Sequence, residues 1–309
     1  MTAVDLRESL TRAVREQAPS AHTFEDGNSR FRIEIPSVES PEAFRAALDQ
    51  AQIEGISINR ISEGSGISML KDDEILEYAQ LGNEAGVEVC LFVGPRAPWN
   101  ANATAMLGDG GNVGWRHTSV GDLFHAYDDV VRAVELGIRS FLIADEGLLS
   151  VLGTARADGD LPADMVLKAS ALMGIANPIN ARLLEKLGAN SINVLSDTSL
   201  GELAAFRTML GSPIDLYIES PDNLGGFMRY HDLPSIVRIA SPVFLKFGLR
   251  NAPGLYPTGL HLKPLEVNST RERVRRAAIG VERLSKASPL PGQSRTTAAT
   301  RGVPQPTNR

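Results

Sequence analysis

The chain has 309 residues, of which 43% are hydrophobic and 22% charged, and its formal net charge is −6. This composition is typical of a folded globular protein, and the mild acidity argues against a nucleic-acid partner, because phosphate backbones are bound by basic surfaces. A single cysteine, Cys90, excludes an internal disulfide and any iron–sulfur or zinc site built from the cysteines of one chain.

The two ends of the chain differ in composition from its centre. Residues 1–29 contain one helical pattern, VDLRESLTRAVREQA, and a polar link, which together predict an N-terminal helical extension. Residues 288–309 are rich in Pro, Ser, Thr and Gly without apolar periodicity, which predicts a disordered tail. We see neither a signal peptide nor an apolar run of about 18 residues, so we expect a cytoplasmic protein with no membrane partner.

The central region, residues 30–287, alternates short apolar runs with amphipathic helical patterns. Eight runs have the length and composition of strands, at 31–35, 55–61, 87–93, 140–144, 165–170, 191–195, 213–219 and 242–248. Eight strands, each followed by a helix, predict a (β/α)8 TIM-type barrel that forms one catalytic domain. A doubly wound open sheet is the alternative, and the lack of a Gly-rich dinucleotide motif after the first strand disfavours it.

Alternation along these strands predicts a polar barrel interior, because one face of each strand meets the helices and the other points inside. The inward polar positions are Arg32, Glu34, Ser57, Asn59, Lys168, Ser191, Asn193, Asp215, Tyr217, Glu219 and Lys246. The active sites of such barrels lie at the C-terminal ends of the strands. The candidate catalytic residues are therefore Glu34, Lys168, Glu219 and Lys246, and Asn59, Asn193 and Tyr217 are candidate substrate ligands. Asp145 fits either this rim or a helix N-cap.

The loops at the same end add further candidate ligands. Ser65 lies in SEGSGIS, a turn whose backbone amides could hold an anion. The loops after strands seven and eight bring Arg229, His231, Arg250 and His261. The two arginines suit a substrate carboxylate or phosphate, or they tie the loops to barrel carboxylates.

Two other segments have patterns that allow a structural prediction. The connection after strand three is long and contains Trp99, Trp115 and His117, so it is either a lid over the site or disordered. The run RERVRR at 271–276 is expected to be the solvated face of a helix.

Three segments together resemble the peptidase U32 family of collagenase-like proteins: NPINARLLEKLGANSINVLSDTSLGELAAF, DLYIESPDNLGGFMRYHDL and VFLKFGLRNAPGLYPTGLHL. The resemblance covers about residues 30–287 and implies a TIM-type barrel and a hydrolase activity. The family pattern includes cysteines after strand seven, which hold an iron–sulfur cluster in members that hydroxylate RNA or quinones. This chain has none there, so the resemblance is to a short single-barrel member without that cluster. The family supplies no catalytic triad to carry over.

Three functions remain open at this stage. A U32-like peptidase or amidase would use Glu219 or Glu34 as general base, with a divalent metal ion as an open cofactor. A lyase or aldolase would use Lys246 or Lys168 to form a Schiff base with a small anionic carbonyl metabolite. A non-catalytic barrel would serve as a binding or partner subunit. The expected partner is a small-molecule or peptide substrate, and a homo-oligomer stays open.

Overall fold

The computed structural model describes residues 2–94, 116–287 and 292–307. Its eight strands are parallel and form a closed barrel in sequence order, with the last strand paired to the first. The strands are β1 Phe31–Pro36, β2 Arg60–Ser62, β3 Glu88–Phe92, β4 Ser140–Ile143, β5 Val166–Ala169, β6 Ser191–Asn193, β7 Ile214–Glu219 and β8 Val243–Phe247. The predicted (β/α)8 barrel is confirmed.

Helices follow the strands around the outside of the barrel. They are α1 Ala3–Glu16, α2 Pro41–Glu54, α3 Asp72–Ala85, α4 Val120–Glu135, α5 Glu146–Asp158, α6 Pro178–Lys186, α7 Leu200–Met209, α8 Leu233–Ala240 and α9 Lys263–Lys286. None of these described helices is long and apolar enough to cross a lipid bilayer. The helix α1 is the N-terminal extension that the sequence predicts, and it packs against α7.

Local sequence signals set the helix boundaries. Ser40 caps α2 by accepting a hydrogen bond from the backbone of Ala43, and Pro41 occupies the first turn, where its missing N–H costs nothing. Gly55 ends the same helix in the left-handed conformation. Asp145 caps α5 by accepting a hydrogen bond from Leu148 N. Of its two predicted roles, Asp145 therefore has that of the helix N-cap.

The hydrophobic core lies between the strands and the helices. Ile33 and Ile35 of β1 and Leu245 and Phe247 of β8 are fully buried there, as the period of two predicts. Each such side chain stabilises the fold by about 1.5–3 kcal/mol when it leaves water. The core therefore holds the ring of strands in place and leaves the alternate positions free to carry polar groups inside the barrel.

The register of the second strand differs from the prediction by one residue. Arg60 pairs with Glu34 of β1, and both side chains enter the barrel. Asn59 instead lies before β2, at the N-terminal end of the barrel, where it accepts a hydrogen bond from Ile33 N and donates to Ser294 O. The alternation in ISINRI fits both registers, and ion pairs inside the barrel favour the one that brings Arg60 inside.

The C-terminal tail is a second correction, because residues 292–307 pack against the barrel and are not disordered. Gln293 forms a parallel bridge with Phe31, and Ser294 N donates to the carbonyl of Phe31. Further along, Val303 is fully buried and Gln305 N donates to Gly137 O. Backbone hydrogen bonds therefore attach this segment to the barrel, and amino-acid composition does not predict such bonds. The predicted lid falls mostly on residues 95–115, which lie outside the described part of the chain.

The contact between the tail and Gly137 can be tested with a matched pair of substitutions. Gly137 has a φ of 100°, and an added Cβ would lie 2.7 Å from Gln305 O and from Pro306 Cα. Gly159 has a φ of 89° with no atom within 4 Å of an added Cβ. Gly159→Ala should cost about 1–2 kcal/mol from backbone strain alone. Gly137→Ala should lower the free energy of unfolding by about 1–3 kcal/mol more, because the tail must move.

The measurement is denaturant unfolding of both variants, in the full chain and in a chain that ends at residue 291. The extra cost of Gly137→Ala should disappear in the shortened chain. Equal costs for the two variants in the full chain would contradict the observed docking of the tail.

Candidate functional site

A network of buried charges fills the barrel interior. The Arg60 side chain is 2% exposed, and its Nη1 lies 2.6 Å from Asp215 Oδ1 and 3.2 Å from Glu34 Oε2. Its Nε lies 2.8 Å from Glu88 Oε1. Ser62 Oγ donates to Glu34 Oε1 at 2.8 Å. Buried ions are tolerated only when opposite charges and hydrogen bonds surround them, and this arrangement supplies both.

Lys168 and Glu34, both predicted catalytic residues, lie at the centre of this network. Lys168 has no solvent exposure, and its Nζ bonds to Glu34 and lies 3.5 Å from Asp215 Oδ1. Burial by itself would raise the pKa of Glu34, but the charges of Lys168, Lys246 and Arg60 outweigh it and hold that pKa well below its ordinary value. Neither Lys168 nor Glu34 is among the described residues that line the pocket at the C-terminal rim of the barrel, and both have their charges paired inside the barrel.

A pocket of about 530 Å³ opens above the network, at the C-terminal ends of the strands. Three predicted site residues, Asn193, Tyr217 and Lys246, line it. Lys246 Nζ bonds to Asn193 Oδ1, lies 3.4 Å from Glu34 Oε1 and lies 4.2 Å from the centre of the Tyr217 ring. Burial raises the pKa of the Tyr217 phenol, which therefore stays protonated. Lys246 thus joins the charge network to the pocket.

A second cation in this pocket was missed by the sequence analysis. Arg273 of α9 lines the pocket, although the run RERVRR that contains it was expected to face solvent. Its side chain is buried, with 4% exposure, and burial lowers the pKa of its guanidinium. Nη1 donates to Ser37 O at 3.1 Å, whereas Nε has no hydrogen-bond partner among the described residues. The apolar residues Val274 and Ala277 on the same helix face were the available signal.

The loop after β8 covers one side of the pocket. Tyr256, which lines it, bonds to the Ser37 hydroxyl, and its ring packs on Gly64 of the loop after β2. A Cβ at Gly64 would lie 2.7 Å from that ring, so glycine permits this close approach. Thr258 N donates to Ser65 Oγ at 3.0 Å and joins the same two loops. The pocket is therefore walled by contacts between loops that are distant in sequence.

Glu219, the fourth predicted catalytic residue, does not line the pocket. Its carboxylate accepts hydrogen bonds from Tyr230 Oη at 2.7 Å and from Arg250 N at 3.0 Å. Arg276 Nη1 lies 3.6 Å from the same carboxylate. The strand pairing of β7 with β8 shifts between Tyr217 and Glu219, and this irregularity turns Glu219 away from the interior. Glu219 therefore holds the loop after β8 in place.

The turn that contains Ser65 does bind a carboxylate, but one that belongs to this protein. Gly64 N and Ser65 N each donate to Glu39 at 2.9 Å, and Ser65 Oγ donates to the same group at 2.6 Å. The Ser65 side chain is buried and does not line the pocket. The expected anion-binding turn therefore fixes the loop after β1.

The charged loop residues also lie outside the pocket. Arg229 donates to the carbonyls of Ser196 and Thr198, and His231 Nδ1 lies 3.4 Å from Arg283 Nη1. Arg250 is exposed and lies 3.8 Å from Asp222, and His261 is exposed in a short 3₁₀ turn. The structural alternative, in which these arginines tie loops together, fits their contacts.

A divalent metal ion has no evident ligand set in the part of the chain that the structure describes. No three His, Cys, Asp or Glu side chains are grouped there so as to hold a metal ion. Two carboxylate residues among those described line the rim pocket: Glu63 accepts a hydrogen bond from Gly66 N, and Asp222 accepts one from Asn251 N. Glu34 and Asp215, inside the barrel, are bound by cationic side chains.

Neither a protein-family model nor a curated protein sequence matches this chain. Solved structures do match. A U32 peptidase has 18% identity and a TM-score of 0.41 over 65% of this chain and 74% of its own. A 2,3-dimethylmalate lyase of the PEP mutase/isocitrate lyase superfamily has 11% identity and a TM-score of 0.43 over 88% of each chain. Phosphoribosylanthranilate isomerase from Thermotoga maritima has 8% identity and a TM-score of 0.43 over 83% of this chain and all of its own. These values are too low to carry an argument about chemistry, and the barrel assignment rests on the strand order.

The buried network should make stability depend on pH in the acid range. The folded-state pKa of Glu34 is depressed, so its contribution is fully present above its unfolded pKa of about 4.3 and is lost as the pH falls further. Glu34→Gln should cost about 3–5 kcal/mol at pH 7, because it leaves buried cations without their partner. The same variant should lose less stability than the wild type between pH 5 and pH 3.

Glu25→Gln is the matched control for urea unfolding at several pH values. The Glu25 side chain is 62% exposed and pairs with Arg32 at 2.8 Å, so its loss should cost less than about 1 kcal/mol. Equal costs for the two variants at pH 7, or parallel pH profiles for the wild type and Glu34→Gln, would contradict the charge assignment.

Proposed function

We propose that this barrel is an enzyme that acts on a small anionic carbonyl compound, with Lys246 as the amine that forms a Schiff base. One observation carries the proposal: Lys246 and Arg273 are both buried, and both line the same rim pocket. An amine that can react with a carbonyl carbon and a guanidinium that can bind an anion therefore line one pocket.

The pocket favours a small substrate. Its volume of about 530 Å³ lies within the range of small-molecule sites and is partly covered by the loop that carries Tyr256. Arg273 has a free donor and presents a planar guanidinium, which suits a carboxylate or a phosphate. We assign to Arg273 the role of binding the anionic group of the substrate.

The chemistry follows from the position of Lys246. After its ammonium has lost a proton to the water of the pocket, the neutral amine adds to the substrate carbonyl, and water leaves as the iminium forms. The substrate hydroxyl on the β-carbon then loses its proton to solvent, and its oxygen forms the C=O of the first product as the carbon–carbon bond breaks. The electron pair of the broken bond moves to the iminium, which gives an enamine, and the first product leaves. Protonation of the enamine and hydrolysis of the resulting iminium release the second product and restore the amine.

Two neighbouring side chains would position the amine. Asn193 Oδ1 accepts a hydrogen bond from Lys246 Nζ, and the face of Tyr217 borders the ammonium. Glu34 supplies a nearby negative charge that compensates the iminium. Lys168, which shares Glu34, is enclosed in the interior and has a structural role.

U32-like hydrolysis of a peptide or amide bond is the second candidate, and it rests on the sequence resemblance. Two side chains are expected to act as its base: Glu219 is held outside the pocket by Tyr230 and Arg250, and Glu34 is paired with Lys168. A binding subunit without catalysis is the third. Both make predictions that differ from those of the Schiff-base enzyme.

Reduction with borohydride tests the proposal. The protein would be incubated with pyruvate, an anionic α-keto acid, or with a phosphorylated aldehyde, then reduced and mapped by mass spectrometry. We expect an adduct on Lys246 that is absent in Lys246→Arg. In Lys263→Arg, which changes a partly exposed lysine paired with Glu42, the adduct should remain. Arg273→Gln should reduce trapping of the anionic probes about tenfold or more but spare a neutral aldehyde.

The alternatives give different results. Adducts that persist in Lys246→Arg, or no adduct with any carbonyl probe, would overturn the proposal. Cleavage of amide substrates that survives Lys246→Arg would favour hydrolysis. A stable complex with another protein, without turnover or trapping, would favour a binding subunit.

A further inference from the structure

A second cavity lies at the opposite end of the barrel, near the N-terminal ends of the strands. Its volume is about 340 Å³, and we call it the base cavity. Its charged lining residues are Glu25, Arg32, Arg60, Glu88, Arg156, Glu185 and Arg301. Four guanidinium groups thus face three carboxylates. Arg301 comes from the C-terminal tail, so the tail completes the lining.

Two of these arginines are neutralised by carboxylates of the same cavity. Arg32 Nη2 lies 2.8 Å from Glu25 Oε2, and Arg60 Nε lies 2.8 Å from Glu88 Oε1. The third carboxylate, Glu185, accepts hydrogen bonds from Gly211 N and Ser212 N and bonds to Arg182, which does not line the cavity. Each carboxylate of the lining is therefore already occupied.

Arg156 and Arg301 bond only to uncharged oxygens. Arg156 donates to the carbonyls of Met165 and Gly188 and to the Asn190 side chain. Arg301 Nη2 donates at 3.2 Å to the carbonyls of Ala163 and Met165. No carboxylate of the described residues lies within ion-pair distance of either guanidinium. Both guanidinium groups donate to the same carbonyl, that of Met165, and no negative charge of the described residues lies between them.

Both side chains keep hydrogen-bond donors in reserve. A guanidinium has five N–H groups, of which Arg156 uses three and Arg301 uses two in these contacts. Burial lowers the pKa of Arg156, and repulsion by the positive charge of Arg301 lowers it further. An anion between them would remove this repulsion and accept the free donors.

We propose that the base cavity binds a phosphate group, either inorganic phosphate or the phosphate ester of a small molecule, between Arg156 and Arg301. A phosphate carries up to two negative charges and several acceptor oxygens, so it can neutralise two guanidiniums at once. Because Arg301 belongs to the tail and Arg156 to α5, the bound anion links the tail to the barrel. This site is separate from the rim pocket and does not depend on the function proposed there.

Isothermal titration of the full chain with inorganic phosphate, at constant ionic strength, tests the proposal. Wild-type protein should bind phosphate at the base cavity, and Arg156→Gln and Arg301→Gln should each weaken this binding about tenfold or more. Arg295→Gln changes an exposed arginine of the same tail that does not line the cavity, and it should bind like the wild type. Circular dichroism would establish that each variant is folded.

A rim variant separates the two sites. Arg273→Gln should leave phosphate binding at the base cavity unchanged. Loss of binding in Arg273→Gln with retention in Arg156→Gln would assign the phosphate to the rim pocket and overturn the proposal. So would an absence of binding in the wild type, or equal binding by Arg156→Gln, Arg301→Gln and the wild type. A second titration with glycerol phosphate distinguishes the sources, since tighter binding of the ester would identify an esterified ligand and weaker binding the free ion.

Discussion

The structure depends on a balance of charge inside a closed ring of strands. Arg60, Lys168 and Lys246 bring three positive charges into the barrel, and Glu34, Asp215 and Glu88 bring three negative ones. A buried ion without an opposite charge would strongly destabilise the fold. Each of these six side chains therefore restricts which residue types the other five positions can hold. The pairing also selects the strand register, because a shift of one residue in β2 would remove Arg60 from its partners.

The rim pocket takes its chemistry from this balance. Lys246 contributes to the network through Glu34 and also lines the pocket, so the interior fixes the position of the amine there. Arg273 approaches from the outer helix α9 and is held by the backbone of Ser37. The strands thus position Lys246, whereas helix α9 and the loop after β1 position Arg273. The fold therefore sets the volume of the pocket between these two side chains.

The sequence predicted the fold and the position of part of the candidate site, for physical reasons that individual residues illustrate. Regular alternation in β1, β7 and β8 placed Glu34, Tyr217 and Lys246 correctly, because apolar residues mark the outer face. Glu219 was misplaced because a strand irregularity has no signal in the alternation. Arg273 was missed because a basic run on a helix looks solvated until the neighbouring loops are known. The tail was misread because its contacts are made largely by the backbone, which composition does not describe.

The bridge between Gln293 and Phe31 joins residues 262 positions apart in a chain made from one end to the other. During synthesis β1 leaves the ribosome long before the tail, at a rate of about 5–20 residues per second. The barrel can close through the pairing of β1 with β8 while the N-terminal ends of its strands are still exposed to water. Three polar side chains at this end are therefore hydrated in the nascent chain and buried in the folded protein: Arg32, Asn59 and Glu88.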